Sequence, residues 1–212
     1  MMASINPFEE YTVEYEKWFE RNKYTYRSEL LAVKSLLPLK GKGLEIGIGS
    51  GRFAKPLNIR FGVDPSVKMS DLADEIGLKT IRGIGENLPV KNEYFNYVLM
   101  VTTICFLYDI NKTLIEVYRI LKNNGNIIIG FIDKNSNLGQ LYQKNKHKSV
   151  FYKNANFLSV NEVTAYLKNA KFTDFYFCQT IFKPLDEIIR EEPVKNGYGL
   201  GSFIVIKAKK EI

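Results

Sequence analysis

Apolar residues recur along the chain with two different spacings. Between Pro7 and Pro38 they fall three and four residues apart with charged residues between them, as Tyr11, Tyr15 and Trp18 show. That spacing is typical of helices with one apolar face. From residue 43 onward, short aliphatic runs alternate with further helical stretches. The pattern therefore predicts an N-terminal helical segment followed by alternating strands and helices.

The alternating part predicts seven strands, each a short run of aliphatic, aromatic or β-branched residues. They are expected at residues 44–47, 59–64, 79–81, 97–101, 126–132, 171–182 and 200–209. Helices are expected at 66–76, with Ser66 as N-cap, at 112–121 and at 159–170, and a short helix carrying Pro56 is expected after the first strand. Such alternation is typical of a mostly parallel sheet with helices on both faces, so we expect a doubly wound α/β fold.

Length and composition indicate a single globular domain. The chain has 212 residues, of which 45% are hydrophobic and 25% charged, and these values exclude a disordered chain. The apolar run at 98–107 is too short for a membrane span, and no secretory signal is visible at the N-terminus. Cys105, Cys178 and the single His147 are too few for a disulfide framework or a structural zinc site. We expect a cytoplasmic protein with no bound metal.

The charge balance is basic. Thirty Lys and Arg residues against 23 Asp and Glu residues give a net charge of +7, which is compatible with a nucleic-acid partner. However, the lysines are scattered along the chain and no run of five basic residues occurs. This distribution favours a solvated, lysine-rich surface, and a nucleic-acid partner is disfavoured but stays open.

The densest chemical signal is a glycine-rich turn after the first predicted strand. Gly47, Gly49 and Gly51 occupy alternate positions, where the missing Cβ atoms let the backbone turn sharply and let a ligand lie against it. The next predicted strand ends in Asp64, whose carboxylate can accept hydrogen bonds from the hydroxyls of a ribose. Together these features predict a site for a nucleoside cofactor.

Two classes of cofactor contain a suitable nucleoside. A dinucleotide fingerprint has the spacing G-x-G-x-x-G, whereas here the glycines are spaced G-x-G-x-G and follow an acid, Glu45. A cofactor without phosphates needs no anion-binding loop, although its charged amino-acid end must be held. The spacing therefore favours S-adenosylmethionine over a nicotinamide dinucleotide.

Residues 43–132 resemble the class I S-adenosylmethionine-dependent methyltransferases, especially the small-molecule branch that includes the ubiquinone- and menaquinone-biosynthesis enzymes. Five blocks match in order: 44–51, 62–66 with Met69, 83–90, 95–109 and 116–125. The resemblance implies a seven-stranded Rossmann-like sheet whose last strand is antiparallel. It divides the single domain 1–212 into an N-terminal helical cap at 1–38, a cofactor-binding core at 39–133, and C-terminal helices with a β-hairpin at 134–212. It also implies S-adenosylmethionine as cofactor and S-adenosylhomocysteine as product.

The resemblance further implies which residues hold the cofactor. The methionine part would lie on the glycine-rich turn, and Asp64 would hold the ribose hydroxyls. Pro65 and Met69 would border the adenine, residues 85–87 would contact its edge, and residues 101–102 would lie near the sulfonium. The implied cofactor-binding residues are Glu45, Gly47, Gly49, Gly51, Asp64, Pro65, Met69, Gly85, Glu86, Asn87, Val101 and Thr102.

Two departures from the family pattern affect the site. Ile84 stands where the family usually has an acid that binds the adenine amino group, so adenine recognition would fall to backbone groups or to Glu86 and Asn87. Cys105 and Phe106 stand where a His-His pair is frequent, which removes a familiar candidate base. His147 lies among lysines and is expected on the surface. No catalytic residue is therefore identified from the sequence.

Methyl transfer from a sulfonium is an in-line displacement, so the protein must chiefly align the acceptor and exclude water. The aromatic residues of the N-terminal segment would either fill the core or form a lid, where their rings favour a sulfonium or an ammonium group. Tyr15, Trp18, Cys105 and Tyr198 are the candidate residues of the substrate pocket. The two glutamates at 191–192 would either attract a cationic amine or lie in solvent as a charged pair.

The favoured function is methyl transfer to a small-molecule acceptor through an O, N or C nucleophile, since the regions outside the core are only large enough for a lid. The alternatives are an RNA or protein methyltransferase, a non-catalytic S-adenosylmethionine-binding protein and a nicotinamide-dependent oxidoreductase. An RNA substrate would predict a basic face around the pocket. The acceptor, the methylated atom and the oligomeric state stay open.

Overall fold

Three helices begin the fold in the computed structural model, which describes residues 6–211. They are α1 (Asn6–Glu10), α2 (Thr12–Arg21) and α3 (Lys23–Leu36). Phe19 of α2 and the adjacent Ala32 and Val33 of α3 are buried against the rest of the protein. The helical character that the spacing of apolar residues predicts for this segment is therefore present, and it arises from burial of one helix face.

A single mixed sheet forms the centre of the described residues. Its strands lie in the order β3-β2-β1-β4-β5-β8-β6-β7. They are β1 (Gly43–Ile46), β2 (Phe61–Asp64), β3 (Lys79–Arg82), β4 (Phe95–Val101), β5 (Leu121–Ile132), β6 (Phe172–Thr180), β7 (Lys195–Asn196) and β8 (Phe203–Lys210). The first five pair in parallel, whereas β8 runs antiparallel to β5 and β6. This is the Rossmann-like methyltransferase fold that the sequence predicts, with the two-residue β7 as an extra strand.

Helices cover both faces of the sheet. Among the described residues they are α4 (Val67–Glu75), α5 (Ile110–Ile120), α6 (Asn137–Asn145) and α7 (Val160–Asn169), in addition to the three N-terminal helices. Along β4, Val98 and Met100 face the cluster under α5 and α7, whereas Leu99 and Val101 face the cluster under α3 and α6. The strand is thus buried on both sides, which explains its continuous apolar run.

Two local expectations are wrong. The short helix expected after β1 is a series of turns over residues 51–58, because Pro56 lacks an N–H group and disfavours helical backbone at Lys55. The chain leaves these turns through Asn58, at φ 58°. In addition, the turn expected at 123–125 lies within β5, where the register with β4 shifts. The Ser66 cap of α4 is confirmed, since its hydroxyl accepts a hydrogen bond from Met69 N at 3.2 Å.

The order of the strands reverses beside β1. That strand pairs with β2 on one side, with Leu44 opposite Phe61, and with β4 on the other, with Leu44 opposite Val98. Ligands of doubly wound sheets bind at such a switch point, outside the carboxyl ends of the strands. Among residues 6–211, no helix has the length and apolar character needed to cross a membrane.

Candidate cofactor and acceptor site

The glycine-rich turn leaves the carboxyl end of β1 in left-handed backbone conformations. Gly47 has φ 70° and Gly49 has φ 54°, which side chains disfavour. A Cβ atom at Gly47 would lie 2.4 Å from the Oγ1 of Thr103, and one at Gly49 would lie 3.2 Å from the hydroxyl of Tyr15. The turn therefore requires glycine both for its backbone and for the close approach of neighbouring side chains.

Asp64, at the carboxyl end of β2, is hydrogen-bonded to this turn. Its Oδ2 accepts from Gly49 N at 2.8 Å and its Oδ1 accepts from Ser66 N at 2.9 Å. Burial raises the pKa of the carboxyl group above its ordinary value, and the two N–H donors act in the opposite direction. The side chain thus joins β1, β2 and the start of α4 at the switch point.

A cavity of about 100 Å³ opens at this point. Seven of the residues implied as cofactor-binding line it: Gly47, Gly49, Asp64, Pro65, Met69, Val101 and Thr102. The other lining residues, Phe8, Ser66, Thr103 and Phe106, were not assigned to the cofactor from the sequence, and Tyr15 was assigned to the substrate pocket instead. The carboxyl ends of β1, β2 and β4 therefore meet here, as expected for a parallel sheet.

The other implied cofactor residues lie outside this lining. Gly51 is a packing position, because a Cβ atom there would lie 2.4 Å from Cδ1 of Leu78. Glu45 is buried beneath the turn, where burial raises its pKa well above the ordinary value and its Oε2 has no hydrogen-bond partner among the described residues. The carboxyl accepts a backbone hydrogen bond from Ala54, but its Oε2 is a buried polar atom without a partner in the described part of the chain, and such atoms require explanation.

Residues 85–87 are also held away from the cavity. The Oε1 of Glu86 accepts hydrogen bonds from Tyr108 N at 2.9 Å and Asp109 N at 3.2 Å. Glu86 therefore fastens the loop after β3 to the loop after β4. Gly85 packs against Thr113, since a Cβ atom would lie 2.8 Å from its Cγ2.

Thr102 lies at the end of β4 and lines a second cavity as well as the first. Its φ of 51° is an outlier for a β-branched residue. The strained backbone is held by a hydrogen bond from Thr102 N to Gly130 O at 2.8 Å. Strain of this kind persists where the surroundings impose it and is frequent at functional sites.

The second cavity has a volume of about 340 Å³ and is mainly aromatic. It shares Phe8, Tyr15, Thr102 and Phe106 with the first cavity. Further rings come from α2, the turns after β1, α6 and the segment between α6 and α7; they are Trp18, Phe19, Phe53, Tyr142, Phe151 and Tyr152. Tyr15 and Trp18, two of the candidate residues of the substrate pocket, thus line the second cavity.

The remaining candidates for the substrate pocket lie elsewhere. Cys105 lines a separate cavity of only about 10 Å³, and burial raises the pKa of its thiol to about 12. Tyr198 is exposed and its ring centroid lies 5.0 Å from that of Phe177. Neither side chain lines the second cavity, so their assignment to the substrate pocket is wrong. Cys105 nevertheless lies close by, because its small cavity shares Thr102, Ile132 and Tyr152 with the second one.

The glutamates at 191–192 have structural partners instead. Glu191 forms an exposed ion pair with Arg27 at 3.5 Å. The carboxylate of Glu192 accepts hydrogen bonds from the backbone of Phe182 and Lys183. His147 is exposed, as expected. None of these groups lines either cavity within the described part of the chain.

The sequence analysis missed Glu29, a carboxylic acid in the lining of the second cavity. Glu29 is 4% exposed, and burial raises the pKa of its carboxyl group to about 8. A signal for it exists in the sequence, because Glu29 follows Thr25 and precedes Ala32 and Val33 at the spacing of one buried helix face. A charged residue on a buried helix face is unusual, because charged residues are seldom fully buried unless they are paired.

Comparison with known proteins agrees with this geometry. The Methyltransferase domain family matches residues 44–129. An uncharacterised protein of Methanocaldococcus jannaschii is 48% identical over 206 residues, which are 97% of this chain and 100% of the relative. A crystal structure of an S-adenosylmethionine-dependent methyltransferase from Thermotoga maritima, described as a possible histamine N-methyltransferase, is 50% identical with a TM-score of 0.95, covering 97% of this chain and 99% of that one.

A more distant structure shares the fold alone. Phosphoethanolamine N-methyltransferase 2 of Haemonchus contortus, in complex with S-adenosylmethionine, is 16% identical with a TM-score of 0.65. The match covers 88% of this chain and 53% of that protein. The sheet order and the glycine turn at the switch point define a class I, Rossmann-like methyltransferase. The chain belongs to the S-adenosylmethionine-dependent methyltransferases, and it is an enzyme with S-adenosylmethionine as cofactor.

Proposed function

We propose that the enzyme methylates a small molecule held in the second cavity. The observation that carries this proposal is that an aromatic cavity of about 340 Å³ adjoins the glycine-rich turn and shares Thr102 with it. Its volume lies at the lower end of the range of about 300–1,000 Å³ that is usual for ligand sites. Its walls come from α2, α3 and α6, so a small acceptor would be enclosed beside the cofactor.

The residues of the first cavity fit S-adenosylmethionine. Asp64 retains lone pairs beyond its two backbone hydrogen bonds, and these suit ribose hydroxyls. Pro65 and Met69 supply apolar surface for the adenine ring, and Gly49 leaves backbone open to the amino-acid end. The unpartnered Oε2 of Glu45 lies behind the same turn and is the polar group that this end would satisfy directly or through water.

When bound, the cofactor supplies a methyl group on a positively charged sulfur, and its transfer to an acceptor nucleophile breaks the carbon–sulfur bond and leaves neutral S-adenosylhomocysteine. The chain's own contribution is alignment and exclusion of water. Thr102 stands between the two cavities and would set the approach of the acceptor. Phe106 and Tyr15 line the same passage, where their rings favour positive charge.

The charges of the second cavity support a small acceptor over RNA. Its charged lining residues are Glu14, Arg21 and Glu29, which do not form the basic face that a polyanion requires. The Thermotoga maritima relative is described as a possible histamine N-methyltransferase. Histamine is a molecule of the size that a cavity of about 340 Å³ encloses.

The experiment is a methyl-transfer assay with radiolabelled S-adenosylmethionine and a panel of small amines, phenols, thiols and carboxylic acids, beside total RNA and denatured protein. We expect transfer to at least one small molecule. Phe151→Ala should lower kcat/KM for that acceptor while leaving the affinity for S-adenosylhomocysteine unchanged, because Phe151 lines only the second cavity. Tyr176→Ala, on the exposed side of β6, is the matched control. Transfer confined to RNA or protein would overturn the proposal.

A further inference from the structure

Glu29 is a carboxylic acid placed within a buried helix face. It lies in α3 among the buried residues Thr25, Ser28, Ala32 and Val33, and it is 4% exposed. Its side chain contributes to the lining of the second cavity rather than to the core cluster beneath α3. An ionisable group is therefore held by its helix against a cavity that is otherwise mostly aromatic.

The side chain of Glu29 makes no hydrogen bond or ion pair with another group of residues 6–211. The buried acids Asp64, Glu86 and Glu192 each accept two backbone N–H groups. Burying a carboxylate without such partners is costly, so the group stays protonated until the pH approaches its raised pKa of about 8. Glu29 thus differs from these acids in lacking any internal partner, although it has access to a cavity.

The groups that face Glu29 leave it free for a ligand. Tyr26 of α3, Tyr142 of α6 and Tyr152 are near enough for Glu29 to raise their pKa values, although burial is the main cause for all three. Arg21 and Glu14 of α2 line the same cavity, but both are exposed. Arg21 forms no ion pair with Glu29. No Lys or Arg side chain of the described residues forms an ion pair with Glu29, so the carboxylate has no charged partner within this part of the chain.

We propose that Glu29 binds a cationic amine nitrogen of the methyl acceptor and so selects amines as substrates. This inference rests on the proposed function. Aromatic faces attract cations, and a buried carboxylate gains a charge-assisted hydrogen bond from an ammonium group. An anionic acceptor would meet the carboxylate and the negative faces of the rings, whereas a neutral one would leave Glu29 without a charged partner.

Binding of an ammonium group to Glu29 has a proton signature. At pH 7 the free enzyme holds Glu29 mainly protonated, since its pKa is about 8. Pairing with an ammonium group requires the carboxylate, so the proton leaves to solvent as the amine binds. Amine affinity should therefore rise with pH up to about 8 and then level off while the amine itself stays protonated.

The test is isothermal titration of the enzyme saturated with S-adenosylhomocysteine, using histamine and 2-phenylethylamine, with 2-phenylethanol and phenylacetate as neutral and anionic analogues. We expect the amines to bind more tightly than both analogues. Titrations in phosphate and Tris at pH 7 should show release of close to one proton per amine bound, given the pKa of about 8. This measurement uses the unaltered enzyme and does not depend on a variant.

Glu29→Gln should lose at least about tenfold in amine affinity, because a charge-assisted hydrogen bond is removed, and should release no proton. Its affinity for S-adenosylhomocysteine and for 2-phenylethanol should be unchanged. Glu20→Gln, at an exposed position of α2, is the matched control. Equal amine binding by the parent and Glu29→Gln, no binding of either amine, or tighter binding of the neutral analogue would overturn the inference.

The two proposals fail in different ways. If the enzyme methylates small phenols or thiols and the Glu29→Gln variant does so equally well, the amine inference is wrong and the proposed function stands. If no small molecule is methylated, the proposed function is wrong, and a proton release abolished in Glu29→Gln would still identify Glu29 as an amine-binding residue.

Discussion

The carboxylate of Asp64 accepts the backbone N–H of Gly49 at 2.8 Å, across the gap between the ends of β2 and β1. Its other oxygen accepts from Ser66 N at 2.9 Å, at the start of α4. One side chain therefore sets the shape of the glycine-rich turn and the position of α4 before any ligand binds. Asp64, which the family resemblance assigns to the ribose hydroxyls, thus also preorganises the site.

We expect Asp64→Ala to weaken binding of S-adenosylhomocysteine by about 1.5–3 kcal/mol, because charge-assisted hydrogen bonds are lost. Isothermal titration measures this directly. Asp71→Ala is the control, since Asp71 lies in the same helix α4 and makes only an exposed ion pair with Arg82 at 3.7 Å. Unchanged affinity in Asp64→Ala would refute the assigned role.

Substitution of the glycines of the turn should have two different effects, a loss of stability at one position and a loss of cofactor affinity at another. Gly51 has φ 83° and a Cβ atom there would lie 2.4 Å from Leu78, so Gly51→Ala should destabilise the fold by about 2–4 kcal/mol through backbone strain and overpacking. Gly49 faces the cavity, so Gly49→Ala should chiefly weaken cofactor binding. Urea unfolding and titration with S-adenosylhomocysteine distinguish the two effects. Identical losses of stability and affinity in both variants would contradict this division.

Glu29 should make stability depend on pH. Its pKa is about 8 in the folded protein, whereas a glutamate in an unfolded chain titrates near 4.3. Between these values the unfolded chain releases the proton and the folded chain keeps it, so this group makes stability fall as pH rises and level off above about 8. Glu29→Gln removes this loss, and its stability relative to the parent should increase from pH 5 to pH 8 by on the order of 3 kcal/mol.

Urea unfolding of the parent, Glu29→Gln and Glu20→Gln over that pH range checks the expectation. Any cost of burying the amide of glutamine is independent of pH, so only the slope of the difference is informative. A difference between parent and Glu29→Gln that stays constant with pH would show that Glu29 is ionised in the folded protein.

The N-terminal helices should act as a lid. The hydroxyl of Tyr15 lies over Gly49, and Glu16 of α2 accepts hydrogen bonds from Arg52 and Ser50 beside the turn. Access for the cofactor therefore requires α2 to move, and bound ligand should hold it closed. We expect S-adenosylhomocysteine to slow proteolysis within residues 12–36, and Glu16→Ala to speed it in the free enzyme. Cleavage rates that are the same with and without ligand would count against the lid.

The local pattern of apolar residues and glycines was sufficient to predict the sheet and much of the cofactor site. Each inner strand is apolar because it is buried on both faces, so β4 and β5 are visible as runs. Gly49 follows β1 and Asp64 ends β2, and neighbouring parallel strands end at the same edge of the sheet. Their meeting could therefore be inferred without coordinates.

The acceptor region could not be inferred in the same way. Phe151 and Tyr152 come from the connection between α6 and α7, and no periodicity shows that it folds over Thr102. Cys105 and Tyr198 were plausible candidates from the sequence, yet Cys105 lines a small neighbouring cavity and Tyr198 packs on Phe177. Loop conformation depends on packing between distant segments, which local residue spacing does not encode.

The sequence by itself determined the class of fold, the cofactor and the turn that carries it, because these follow from the alternation of strands and helices, from the spacing of the glycines and from the resemblance of the matching blocks to a family. Only the tertiary structure decided that an aromatic cavity adjoins this turn and that Glu29 lies in its wall. The physical reason is that the burial and pKa of a carboxyl group depend on every segment packed around it. The aromatic cavity is accordingly a property of the helices α2, α3 and α6 as they are assembled over the sheet.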